Sequence, residues 1–169
     1  SVLNKSNEYK VYKNAKDINS QISSLVAKEG TSELAKTWLN AAQEVVDGIV
    51  NGDQTDADKV TALTKALKSI KNISSANASI ESLEKESGTS SVFSALKSSV
   101  LNKSNEYKVY KNAKDIKTLI DGLVAKEGTS ALAKSWLNAA QTVVDGIVNG
   151  TKTDAQKVSS LTKALKSLK

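Results

Sequence analysis

The chain contains no Cys, no His, no Pro, no Met and no Arg, and each absence narrows what it can do. Without His or Cys there is no ordinary proton shuttle near neutral pH, no thiol nucleophile and no soft metal ligand. Most hydrolytic, redox and zinc chemistry is thereby removed, and carboxylates, Lys and Tyr are left as the only candidate catalysts. The missing Cys also excludes a disulfide framework, which suits either a reducing cytosol or an export route that does not use disulfides. No apolar run approaches the roughly 20 residues that cross a bilayer, and no charged-then-apolar signal segment opens the sequence. This predicts a fragment that does not insert into a membrane, with any targeting signal outside it. The missing Arg removes the bidentate fork used to read phosphate and guanine, so no specific nucleic-acid partner is expected.

What is present is a repeat. The stretch SVLNKSNEYKVYKNAKDI occupies Ser1 to Ile18 and returns at Ser99 to Ile116, and the match runs without a gap to Lys169. Between 1–71 and 99–169, 57 of 71 aligned positions are identical. Self-similarity at a long fixed period is the signature of stacked modules that each bury a small core. The predicted organisation is a module at 1–71, a helical connector at 72–98 and a second module at 99–169.

Each module reads as three helices. Val11, Ala15, Ile18, Ile22 and Leu25 keep the spacing of one helix face, with a stop predicted at Gly30. Thr31 or Ser32 caps a second helix carrying Leu34, Trp38, Leu39, Ala42, Val45, Val46, Ile49 and Val50, predicted to be the most buried of the three and to end at Asn51-Gly52. Thr55 opens a third helix with Val60, Leu63, Leu67 and Ile70. Its counterpart Thr153 has Gln156 three residues on, a capping-box pattern. The second copy keeps every one of these apolar positions apart from Leu168 for Ile70, a swap that cores tolerate. Both Trp38 and Trp136 are read as aromatics filling a core. In the connector, Ile73, Ala76, Ile80 and Leu83 continue the spacing of the third helix, which predicts a helix running unbroken to Glu86. Beyond it, two readings stay open: an opening helix of the second module longer than 30 residues, about 45 Å, or a break near Asn102-Lys103-Ser104-Asn105.

Four features invite a functional reading. The charge of +6 could attract an anionic polymer, yet it is unevenly shared. Residues 1–71 carry 10 Lys against 9 acidic residues, while 99–169 carry 12 against 6, so one copy of the same scaffold is nearly neutral. The Lys-rich segment around Tyr9 and Tyr12 is the best alternative patch, and reads more readily as a solvated face with tyrosines on the core edge. Asp53, Asp56 and Asp58 suggest a calcium loop, but the second copy keeps only Asp154 of the three. Acids at a helix start are explained by the helix dipole alone. Asn-x-Ser/Thr sequons at Asn4, Asn72, Asn77, Asn102 and Asn149 arise by chance in a Ser- and Asn-rich chain. No catalytic, cofactor-binding or metal-ligating residue is assigned, no cofactor is expected, and ligand-binding residues stay unassigned.

The segment TSALAKSWLNAAQTVVDGIVNGTKTDAQKVSSLTKALKSL, from Thr129 to Leu168, and its counterpart Thr31 to Ile70 resemble the FIVAR domain. The likeness lies in the T-x-x-x-x-x-SW-L-x-AA pattern, the paired Val before the turn and the final L-x-x-AL-x-x-L helix. With the preceding helix it covers about 5–71 and 103–169, while 72–98 departs from a bare module of this type. The resemblance implies three-helix modules in tandem on large Gram-positive surface proteins, including giant rod-like staphylococcal adhesins, or attached to secreted carbohydrate-active enzymes. The expectation is an all-α chain of two three-helix bundles in tandem, forming an elongated, monomeric, non-enzymatic stalk or spacer at a cell surface or cell wall. Alternatives are modules that themselves bind extracellular matrix protein, glycan or cell-wall polymer by multivalency, an accessory module of a secreted enzyme, and a unit of a secreted fibre protein.

Overall fold

A computed structural model describes residues 6–169. Residues 1–5, with the sequon at Asn4, lie outside the described residues. Every regular element among those described is helical, as the sequence predicts, and the chain divides into two compact units between Lys103 and Ser104.

The first unit is built on α1 (Asn7–Ala27), α2 (Glu33–Val50) and α3 (Asp56–Ser75), followed by two short helices, α4 (Ile80–Lys85) and α5 (Leu96–Ser99), and a 3-10 turn at Leu101–Lys103. Side-chain hydroxyls start the long helices. Ser6 Oγ accepts from the Tyr9 N–H, Ser32 Oγ from Ala35 and Thr55 Oγ1 from Asp58, each satisfying one of the donors that a helix start leaves orphaned. Of the two candidate caps of α2, Ser32 is the cap, while the Thr31 hydroxyl donates back to the Leu25 carbonyl at 2.9 Å. The chain leaves α1 through Gly30 at φ +89, a left-handed conformation open to Gly at little steric cost. The end of α2 is held by a neighbour: Lys59 Nζ, on α3, donates to the Val50 carbonyl at 2.7 Å. A cation placed there also suits the negative end of the helix dipole.

The three long helices close on a core of Ile18, Trp38, Leu39, Val46, Leu63 and Ile70, each fully buried. The α1 and α3 helices pack most extensively against one another, and α2 packs more on α1 than on α3. That asymmetry leaves one flank of α2 for another element to cover, and residues 76–103 cover it.

The second unit repeats the plan with α6 (Asn105–Ala125), α7 (Ala131–Val148) and α8 (Asp154–Leu168). Its caps are Ser104, Ser130 and Thr153, the last in a reciprocal capping box with Gln156. Two cross-helix bonds recur as well. Asn112 Nδ2 donates to Thr162 Oγ1 at 3.3 Å, as Asn14 does to Thr64, and Lys157 Nζ donates to the Val148 carbonyl at 2.7 Å.

Two expectations are corrected and one open choice is decided. The third helix does not continue to Glu86 but stops at Ser75, with Asn77 at φ 54 and Ala78 at φ 52. The Ala78 N–H bonds to the Ile73 carbonyl at 2.8 Å and the Asn77 N–H to Ser74 at 3.1 Å. This is the paired closure of a Schellman motif, with Asn as the left-handed residue. Apolar spacing persists across the break because α4 restarts in similar register, capped by Ser79. Of the two open readings farther on, the structure takes the break, with the 3-10 turn and Ser104 separating α5 from α6. The second correction concerns burial. In α2 Leu34, Trp38, Leu39, Ala42 and Val46 of the expected stripe are buried while Val45, Ile49 and Val50 are half-buried, whereas in α7 only Leu137 and Val144 are buried, and Trp136 stands exposed.

Candidate functional site

The candidate site is the flank of α7 whose counterpart on α2 is covered within the first unit. Around Trp38 the cover is specific. The indole Nε1–H donates to Ser87 Oγ at 2.8 Å, and the Ser87 hydroxyl donates in turn to the Leu83 carbonyl at 2.7 Å. The Phe93 ring stands edge-on to the indole, centroids 5.2 Å apart at 65°, the geometry that the ring quadrupoles favour. Phe93 and Leu83 are themselves fully buried, and Leu96 nearly so. Asn72 Nδ2 reaches Glu86 Oε2 at 3.5 Å, tying the end of α3 to the returning segment.

The same residues in the second unit lie open. Trp38 is 0% exposed and Trp136 is 59% exposed; Leu34 is 5% exposed and its counterpart Leu132 is 80% exposed. Val143 is 64% exposed. Trp136, Ala139, Ala140, Val143, Ala164 and Leu168 line an open groove of about 320 Å³. The volume is at the low end of small-molecule sites, about 300–1,000 Å³. Besides the indole its one polar wall residue is Ser167, whose hydroxyl donates to the Lys163 carbonyl, so the groove suits an apolar side chain of a polypeptide better than a metabolite. Fully burying an exposed Leu or Val contributes about 1.5–3 kcal/mol, so an occupant covering three large side chains gains several kcal/mol before its own ordering is counted.

The other candidates are placed as follows. Tyr9 and Tyr12 lie 6.2 Å apart between ring centroids, and Tyr107 and Tyr110 repeat that spacing. Lys16 Nζ stands 5.9 Å above the Tyr12 ring and Lys114 Nζ 5.8 Å above Tyr110. Lys13 pairs with Asp17 at 2.7 Å and Lys111 with Asp115 at 2.7 Å, so charges of this Lys-rich segment are engaged within its own helix. Asp56 and Asp58 occupy the first turn of α3, and among the described residues no group of three or more acidic side chains is placed to hold a metal ion. No helix among the described residues is long and apolar enough to cross a membrane.

No protein-family model, curated protein or solved structure matches the chain. Sequence reasoning missed the open flank because it treated the two Trp residues as equivalent. The available signal was Phe93, the sole Phe of the chain, which lies in a segment that follows the first copy and has no second occurrence in the sequence.

Proposed function

We propose that this chain is a non-enzymatic repeat segment serving as a stalk or spacer of a cell-surface protein. The observation that carries this reading is the distribution of differences between the copies. Of the 14 positions that differ, 11 are exposed in both units, while the core, the hydroxyl caps and the Asn–Thr and Lys–carbonyl bonds recur. A module whose surface varies while its interior stays fixed suits a mechanical role, because stability is then a sum of local cores and junctions and length grows by adding copies. The FIVAR resemblance points the same way, towards an extracellular setting at a cell surface or cell wall.

The competing reading, with each module an adhesive unit for matrix protein or glycan, requires a binding face offered in every copy. The apolar flank does not meet that requirement, since the first unit covers it. Small-angle X-ray scattering on this chain and on one lengthened by a further 98-residue repeat tests the spacer. An added maximum dimension of about 30 Å or more, the length of a 20-residue helix, is the expected result. Growth no greater than that of a compact globule of the same mass removes the proposal.

A further inference from the structure

We infer that the open flank of α7 is a docking face for a polypeptide cap with the chemistry of residues 76–103. The first unit shows such an occupant seated on the same face. There the Schellman turn after α3 sends the chain back across α2, where it delivers a Phe ring edge-on to the indole, a Ser hydroxyl to the indole N–H and Leu83 beside them. The receiving residues have identical counterparts in the second unit, Leu132 for Leu34, Trp136 for Trp38, Ala139 for Ala41 and Val143 for Val45, with Leu168 in place of Ile70 the one swap. The receiving face is therefore complete in side chains.

A second copy of the chain is the less fitting occupant. A stable dimer buries about 1,200–2,000 Å² in all, and the flank offers a narrow stripe of few large side chains. A small ligand fits worse, with so few polar groups to fix it. The folding unit of the repeat is then three helices plus a cap. This inference does not rest on the spacer reading, because a cap closes the face whatever role the chain plays.

The test extends the full chain by repeating residues 72–103 after Lys169 and measures collisional quenching of Trp fluorescence by iodide. In the unextended chain one Trp is buried and one exposed, so about half of the emission is quenchable. In the extended chain the quenchable fraction falls close to zero and the emission maximum moves to the blue. Changing the appended copy of Phe93 to Ala restores much of the quenching. Hydrogen exchange at the amides around Trp136 slows at least several-fold in the extended chain. If Trp136 stays as quenchable and its amides as fast as before, including because the appended segment remains unstructured, the inference is overturned. It is equally overturned if Trp136 in the unextended chain becomes protected with rising concentration while the sedimenting mass doubles, which would assign the face to a second copy.

Discussion

Two tryptophans in the same WLNAAQ context have opposite fates, and the difference lies outside their helices. Trp38 is enclosed by Phe93, Leu83 and Ser87, while Trp136 is 59% exposed. Replacing Trp38 with Ala is expected to lower the stability of the first unit by about 3–5 kcal/mol, the usual range for a buried aromatic. Trp136→Ala is expected to change the second unit by less than about 1 kcal/mol. Urea unfolding followed by circular dichroism checks both, and equal losses would refute the assigned burial. Ser87→Ala leaves the buried indole N–H without its acceptor and is expected to cost about 1–3 kcal/mol. At the surface, Lys13 has its pKa raised above 10.5, chiefly by the hydrogen bond to Asp17, with desolvation acting the other way. A raised pKa in the folded state means a stabilising contribution that is present below about 10.5 and lost as pH rises through the raised value. The gap in urea midpoint between the natural chain and Asp17→Asn should therefore persist up to about pH 10.5 and close as the pH is raised beyond it, and a gap that widens there would contradict the pairing.

At the scale of single elements, periodicity located the helices and capping chemistry bounded them. α1, α2 and α3 were legible because Val11 to Leu25, Leu34 to Val50 and Val60 to Ile70 each hold one apolar face, flanked by Ser or Thr before and Gly or Asn after. The stop at Ser75 was not legible. Nothing in ISSANASIES interrupts helical spacing, and the break depends on Asn77 and Ala78 taking left-handed backbone, which spacing cannot register. For that conformation Gly is better suited than Asn, and a β-branched residue far worse. Asn77→Gly is expected to raise stability by up to about 1 kcal/mol, and Asn77→Val to lower it by about 1–2 kcal/mol. Thermal unfolding distinguishes the two signs, and a stabilising Val would show that α3 prefers to run on. The Lys59 and Lys157 bonds to the ends of α2 and α7 were also hidden from the sequence, since a Lys at a helix start reads as solvated until the neighbouring helix is in place.

For the whole molecule, the two units share a plan but differ in closure. The candidate site was illegible for that reason: burial is decided by what packs on a residue, and α2 and α7 carry the same apolar stripe. The first unit adds residues 76–103 to its core and the second does not, so the two should not unfold together. Calorimetry is expected to resolve a more stable first unit and a less stable second one. Phe93→Ala, at about 3–5 kcal/mol for a buried aromatic, should shift the upper transition alone. A single transition that moves as one would overturn the division.

Among the described residues, seven of the eight α-helices begin at a Ser or Thr whose hydroxyl accepts the backbone N–H three residues on, the exception being the four-residue α5. Such a cap carries no charge and does not ionise in the ordinary pH range, and neither added salt nor mild acid weakens it as they weaken a carboxylate cap. In a chain without His, the start signals of the fold therefore hold through swings of acidity and ionic strength that would loosen an ion-paired scaffold.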